Sequence, residues 1–158
     1  MTLNKKSIGI SFVILIVGFI AIQFVDRVVP ALGRDNPPVI YQMVWDSPQT
    51  EDLMRAACYD CHSNETTWPW YSRIAPVSWL VAHDVNEGRD HLNFSTGGGE
   101  LQGYKLIESI REGEMPPLQY TAVHGNARLS DAEKTLLIDG IAMSMGGFSV
   151  SERDIDDD

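Results

Sequence analysis

The N-terminal stretch Ile8–Val25 restricts the architecture of this chain more than any other part of its sequence. It contains 18 consecutive residues without a charged side chain. As an α-helix rising about 1.5 Å per residue it would be about 27 Å long, close to the thickness of the hydrocarbon core of a bilayer. Lys5 and Lys6 precede it, so the positive-inside rule places the short N-terminus in the cytoplasm. The sequence therefore predicts a single-pass membrane anchor followed by an extracytoplasmic domain.

A cleaved signal peptide is the alternative interpretation of the same stretch. Val29-Pro30-Ala31 offers a small-residue cleavage site after it. The apolar run is longer than the roughly 7–15 residues usual for the apolar region of a signal peptide. We therefore expect the segment to be retained as an anchor.

The size and charge of the remaining chain exclude several classes of protein. With 158 residues in total, there is room for one compact domain beside the anchor. After the anchor, 10 Lys and Arg face 22 Asp and Glu, a formal net charge of −12. Such an acidic domain repels phosphate backbones, so we expect no nucleic-acid partner, whereas a basic protein partner is favoured. The GxxxxGK[ST], HExxH and GxSxG signatures of common nucleotide-binding proteins and hydrolases are absent from the sequence.

The distribution of apolar residues, prolines and helix caps predicts an all-α exported part. We expect a cytoplasmic N-terminus over 1–7, the anchor over 8–25, a proline-rich tether or arm over 26–48, a helical domain over 49–147 and an acidic, disordered tail over 148–158. Four helices are predicted: from Ser47 or Thr50 into Cys58, from Pro76 onward, from Glu100 to Arg111, and from the capping-box spacing of Ser130 and Glu133 to Gly146. A long irregular loop is expected from Met115 onward.

The segment Cys58-Tyr59-Asp60-Cys61-His62 carries the strongest chemical signal. In an exported protein, CxxCH is the attachment signal for a c-type haem: the two thiols add across the vinyl groups, and the adjacent imidazole binds the iron. On one helical turn, Cys58 and His62 share a face and Cys61 lies about one turn from Cys58. Both sulfurs can therefore meet one porphyrin edge. The sequence predicts one covalent haem c on Cys58 and Cys61, with His62 as proximal iron ligand.

Three other readings of the two cysteines are less favoured. A zinc site would need further ligands, for which His83, His91 and His124 are the candidates. A redox dithiol of the thioredoxin type needs a βαβ framework that this helical pattern lacks. A structural disulfide would close a very small loop and contribute little stability.

Met115 is the predicted sixth ligand of the iron. It stands in Gly113-Glu114-Met115-Pro116-Pro117, where two prolines stiffen the chain and would hold a thioether against the opposite haem face. His124, nine residues later, is the alternative and would give a bis-histidine iron of lower potential. An open sixth position is the third case.

Charged and aromatic residues complete the predicted haem environment. Arg73 and Arg89 are candidates to pair with the haem propionates, because a guanidinium fork suits a carboxylate; ordinary surface charges are the alternative. The aromatic residues expected to wall the haem pocket or the core are Trp68, Trp70, Tyr71 and Trp79.

These residues resemble two known groupings. The CxxCH segment, the Met115-Pro116-Pro117 loop and Leu129–Glu133 at the start of the last helix are similar to class I, monohaem cytochromes c. More closely, CHSNETTWPWYSRIAPVSWLVAHDVNEGR, LNFS, GEMPP, Tyr120 and His124 resemble a small bacterial family of haem-binding domains, over roughly Asn36 to Gly147. The resemblance implies a cytochrome c-like helical fold around covalent haem, anchored in the inner membrane with its domain in the periplasm. One departure is that Leu136–Met145 lacks the aromatic residue usual late in the last helix of class I cytochromes.

The expected function is single-electron transfer without bond-making catalysis. An iron with both axial positions filled by protein has no free position for a substrate. The expected partners are periplasmic or membrane redox proteins. Two rival functions remain: a gas or redox sensor or peroxidase-like enzyme with an open iron position, and a haem-bearing accessory subunit of a larger membrane complex.

Overall fold

The chain is all-helical, as the sequence predicts, in a computed structural model that describes residues 5–97 and 103–145. These residues contain no β-strand. The α-helices are α1 (Lys5–Ile22), α2 (Pro48–Ala57), α3 (Tyr59–His62), α4 (Val77–His91), α5 (Gly103–Arg111), α6 (Leu118–Val123) and α7 (Asp131–Ser144). Short 3-10 turns lie at Val25–Arg27, Pro30–Leu32, Trp70–Arg73 and Gly125–Ala127. The predicted acidic tail, 148–158, lies outside the described residues.

Helix α1 carries apolar side chains on all its faces, and they are exposed. A helix with this surface suits lipid rather than water. Its length and composition allow it to cross a membrane, and a signal sequence near the N-terminus would share both properties. Directly after α1, the Gln23 side chain donates to the Ala75 carbonyl (3.2 Å) and accepts from the Ala75 amide (2.9 Å). The end of α1 is therefore bonded to the chain just before α4.

The connection after α1 is held against the domain in both of its halves. Its first half forms the two 3-10 turns, with Pro30 at the first position of the second one. Its second half, 36–45, has no regular secondary structure. There the amides of Ile40 and Tyr41 donate to the Ser95 carbonyl (3.0 and 2.9 Å), and Trp45 is buried. The connection is therefore an arm that is held to the domain by hydrogen bonds and by the buried Trp45 side chain.

Helices α2 and α7 begin at the residues that their caps predict. Ser47 caps α2 by accepting from the Thr50 amide (3.2 Å), and Pro48 occupies the first turn. Ser130 and Glu133 form the complete capping box at the start of α7. Both ends are satisfied by local side chains, which is why the sequence alone predicts them.

Helix α7 packs on α2 through a glycine. A Cβ on Gly140 would clash with the side chain of Thr50 and would lie 2.7 Å from Oδ1 of Asp46. The missing side chain lets the two helices approach closely. Around this contact lies the core, whose largest fully buried side chains are Phe94, Met54, Ile110, Leu137 and Ile141.

Candidate functional site

The CxxCH segment forms one helical turn, as its spacing predicts. Cys58 caps α3, and the amides of Cys61 and His62 donate to its carbonyl (3.2 and 2.9 Å). Cys58 is buried, whereas Cys61 and His62 are half-buried. The segment after His62 is also fixed, because the Phe94 amide donates to the His62 carbonyl (2.8 Å). The motif is therefore held from both ends.

The imidazole of His62 has its tautomer set by backbone carbonyls. Its Nδ1 lies 2.8 Å from the Gly88 carbonyl and 3.1 Å from the Leu92 carbonyl. A carbonyl only accepts, so Nδ1 carries the hydrogen and Nε2 carries the lone pair. Burial lowers the pKa of His62, which favours the neutral ring. This is the form in which a histidine binds iron or another metal.

A cavity of about 630 Å³ opens in front of His62. Its volume is within the range of about 300–1,000 Å³ typical of ligand and cofactor sites. Its walls come from α3, residues 66–71, α4, the Met115 loop and α6. They include the predicted site residues Cys61, His62, Met115 and His124, and the apolar residues Val77, Leu80, Val81, Val85 and Val123. The structure thus brings one thiol, three imidazoles and a thioether to the same space, because His91 also lines the cavity.

Cys58 is not among the residues lining this cavity. Its Sγ lies 4.0 Å from Sδ of Met54, on the core side of the turn. Two thioether bonds to one porphyrin would therefore require the Cys58 side chain to rotate toward the cavity.

Burial makes both thiols weak acids. It raises the pKa of Cys58 to about 12 and that of Cys61 to about 11. A reactive redox dithiol has the opposite property, a lowered pKa. Within residues 5–97 and 103–145, no three His, Cys, Asp or Glu side chains form a group that could hold a metal ion. The raised pKa values therefore do not favour a redox dithiol, and the lack of a ligand group among these residues does not favour a zinc site.

Gly88 allows α4 to contact the CxxCH turn. A Cβ at this position would lie 2.6 Å from the carbonyl oxygen of Cys61 and 2.9 Å from the Cys61 Cβ. The same residue supplies the carbonyl that orients His62. Gly88 therefore sets both the distance between α4 and the turn and the tautomer of the imidazole.

Gly88→Ala is expected to destabilise the domain by about 1–3 kcal/mol, the cost of overpacking a close backbone contact. The added Cβ meets backbone, which cannot rotate away. Gly125→Ala is the matched control, since a Cβ there has nothing within 4 Å. Chemical denaturation of both variants measures the free energies of unfolding. Equal values for the two variants would show that the close approach of α4 is not needed.

Met115 and His124, the two candidate sixth ligands, differ in the contacts that their side chains make within the protein. The ring of His124 donates from Nδ1 to the Tyr120 carbonyl (3.1 Å), and its Nε2 lies 3.0 Å from the Tyr71 hydroxyl. It also stacks on Tyr120, with ring centroids 4.1 Å apart. His124 would have to give up the Tyr71 contact to offer Nε2 to a metal. Met115 is half-buried on a loop whose two prolines follow it.

Asp60 and Tyr120 join the CxxCH turn to α6. The Tyr120 hydroxyl donates to Oδ2 of Asp60 (2.8 Å), and the Thr67 amide donates to Oδ1 (2.8 Å). Burial, and then the bond to Asp60, raise the pKa of Tyr120, so it remains a neutral donor. Asp60, inside the CxxCH motif, thus connects the two cavity walls formed by α3 and α6. The spacing of the motif alone predicts no role for Asp60, because its partner Tyr120 lies 60 positions away in the sequence.

The structure places neither predicted propionate partner in the cavity lining. Arg73 is exposed. Arg89 donates to the carbonyls of Ser63 and Asp35 (both 2.8 Å) and to the side chains of Asn36 and Thr66 (both 2.9 Å). Its guanidinium holds the arm to the segment that follows His62. We therefore assign Arg89 to the scaffold of the site.

Of the four aromatic residues expected at the pocket or core, only Tyr71 lines the cavity. Trp70 is 75% exposed, and Trp68 donates from its indole to Asn36 (3.2 Å). Trp79 is half-buried. Of the remaining histidines, His83 is exposed beside Glu87, and His91 is exposed and also lines the cavity.

The fold and the cavity define a class of protein, small all-helical domains with a mainly apolar cavity of the size of a cofactor site. The chain belongs to the haem-binding domain family, whose family model matches residues 17–143. This match confirms the resemblance to the haem-binding domain family and identifies the cofactor as haem. No functionally curated protein and no solved structure matches the chain. The cavity fits haem for two reasons. Its walls are mainly apolar, and the unprotonated Nε2 of His62 can bind iron.

Proposed function

We propose that this protein is a membrane-anchored, monohaem c-type cytochrome that transfers single electrons in the periplasm. His62 would bind the iron from one side through Nε2, and Met115 would bind it from the other. Cys61 and, after a side-chain rotation, Cys58 would attach the porphyrin covalently. The observation that carries this proposal is the presence of His62 and Met115 in the lining of one cavity.

The protein's part in this function is to hold both ligands still. When bound, haem supplies one reversible electron per iron. His62 is oriented by two carbonyls, and Tyr120 ties α6 to the CxxCH turn through Asp60. Rigid ligands keep the motion that accompanies electron transfer small. If His62 and Met115 both bound the iron, no iron position would remain for a substrate, which favours a carrier over an enzyme or a gas sensor.

The same proposal assigns the location and partners. The N-terminal helix would remain in the inner membrane, and the domain would face the periplasm. Its acidic surface favours basic redox partners, either soluble proteins or parts of membrane complexes. A role as accessory subunit would use the same haem and ligands, and co-purification in mild detergent tests for it.

The sixth ligand is tested by the visible spectrum of the oxidised, haem-loaded protein. We expect a weak far-red band that reports sulfur bound to ferric iron. Met115→Ala should abolish this band, whereas His124→Ala should retain it. Met143→Ala is the matched control, because Met143 is 64% exposed on α7 and does not line the cavity. A high-spin spectrum with rapid carbon monoxide binding in the unmutated protein would contradict the carrier function and support an open iron position.

A further inference from the structure

We propose that the haem domain rests on the surface of the bilayer that holds α1, through a patch around the exit of that helix. We call this the anchor-proximal patch and define it by Phe24, Val28, Trp70 and Ile74 with Arg27 and Arg73. The occupant is the headgroup region of the outer leaflet. The inference rests on the proposed retention of α1 as a membrane anchor and not on the haem chemistry.

The first argument is that the domain is hydrogen-bonded directly to the end of the anchor, with no flexible linker between them. Gln23 follows α1 directly, and its side chain makes both bonds to the backbone of Ala75. Ala75 precedes α4 by two residues. Gln23 lies two residues before the end of the predicted anchor at Val25, so retention of the anchor would place Ala75 and the start of α4 at the membrane surface.

Two further contacts fix the orientation. Arg34 donates to the Ser72 carbonyl (2.9 Å) and pairs with Asp26 (3.3 Å). Asn86 on α4 donates to the Ala31 carbonyl (2.7 Å). The connection is thus bonded to the Trp70–Arg73 turn, to Ala75 and to the second half of α4. Attachment at three places restricts rotation of the domain about its anchor.

The second argument is the apolar character of the surface that this orientation presents. Exposed fractions are 49% for Phe24, 78% for Val28, 75% for Trp70 and 40% for Ile74. Trp70 and Ile74 lie within five residues of Ala75, the residue bonded to the anchor. Aromatic side chains with an apolar body and a polar edge are enriched at the interface between membrane and water. An indole exposed at this position suits the headgroup layer.

The third argument is the local sign of charge. The exported chain as a whole carries a net charge of −12, from 10 basic and 22 acidic residues, which would repel an anionic leaflet. The two segments beside the anchor differ from it: residues 24–35 and 68–77 contain Arg27, Arg34 and Arg73 against Asp26 and Asp35. Arg34 pairs with Asp26, and Arg27 and Arg73 are exposed. The guanidinium of Arg27 lies over the ring of Phe24 (4.8 Å). Basic residues next to a membrane are attracted to acidic lipids.

Docking would also fix the position of the cavity. Val77 lines the cavity and lies two residues after Ala75. One end of the cavity would therefore stand beside the headgroups. Electron exchange at that end would favour partners in or on the same membrane.

The test uses the full-length, haem-loaded protein, one copy per nanodisc of phosphatidylethanolamine and phosphatidylglycerol. A nitroxide is attached at Ile74→Cys, and power-saturation electron paramagnetic resonance compares its collisions with oxygen and with a water-soluble nickel chelate. Thr135→Cys, an exposed position on α7, is the matched control. Protein without either added cysteine measures any labelling of the native thiols.

We expect the oxygen-to-nickel collision ratio to be several-fold higher at position 74 than at position 135. It should fall toward the control value when Gln23→Ala and Trp70→Ala are added. Equal ratios at the two positions in the unmodified background would overturn the proposal. A label at 74 shielded from both reagents would overturn it too, since that result indicates burial in protein.

Failure of the docking is distinguishable from failure of the anchor. Intact mass spectrometry of the same sample shows whether residues 1–25 are present. If they are absent, both the anchor and the docking are wrong. If they are present and position 74 is as accessible to nickel as position 135, the docking alone is wrong and the proposed cytochrome function is unaffected.

Discussion

The Cys58→Ala, Cys61→Ala double variant is expected to carry no covalent haem and to be largely unfolded. About 100 residues in short helices bury a limited core, and a domain of this size is stable by only ~5–15 kcal/mol even when complete. Val77 and Leu80, which line the 630 Å³ cavity, are 45% and 55% exposed. Haem would cover these walls and add a large apolar body to the core. Far-ultraviolet circular dichroism and denaturant titration measure the effect.

The comparison needs a control for the lost sulfur atoms, because Cys58 is itself buried in the core. The unmutated chain produced without haem maturation has both sulfurs and no porphyrin. We expect it to be as unfolded as the double variant. A haem-free chain of either kind with a native-like spectrum and cooperative unfolding would show that haem is not part of the structural core.

His62→Gly is expected to abolish the low-spin spectrum of the haem-loaded protein while leaving covalent attachment in place. The substitution removes the nitrogen that the carbonyls of Gly88 and Leu92 orient. It also leaves a space of the size of an imidazole ring. Added imidazole should therefore restore the low-spin spectrum, as a free ligand in the space of the lost side chain. Visible spectra recorded across an imidazole titration measure the recovery.

His83→Gly is the matched control for this substitution. His83 lies on the exposed face of α4 beside Glu87, and its loss should leave the spectrum unchanged and insensitive to imidazole. An unaltered low-spin spectrum in His62→Gly would mean that another residue binds the iron on that side. His91, which also lines the cavity, would then be the first residue to examine.

Local signals explain why much of the fold was predictable. The caps at Ser47 and Ser130 satisfy the helix ends with side chains only three residues away, so a short stretch of sequence contains the whole interaction. The same holds for the CxxCH turn. The helix before Gly113 is predicted by Ile107 and Ile110, which are both buried.

Where the sequence interpretation was wrong, the deciding partner is distant or the element is short. The chain after Pro117 was expected to be an irregular loop and instead forms α6. Six residues are too few to show a helical period.

The sequence predicts the candidate iron ligands of the site but not the residues that hold them in position. Its donors lie in two compact motifs, around His62 and around Met115. Its supports join residues far apart in sequence: Gly88 lies against Cys61, and Tyr120 bonds Asp60 from 60 positions away. A glycine inside a helix destabilises it by about 1 kcal/mol relative to alanine. The presence of Gly88 within the predicted helix was therefore the one sequence signal that another segment approaches closely there.

Intact mass spectrometry of protein matured in a host that attaches c-type haem tests the central claim most directly. The account predicts a mass increase of one haem that survives denaturation and organic extraction, and a peptide spanning Cys58 and Cys61 that carries the tetrapyrrole through two thioethers. A chain with two unmodified thiols, or with haem that is extracted by acidified solvent, would contradict the claim of covalent attachment.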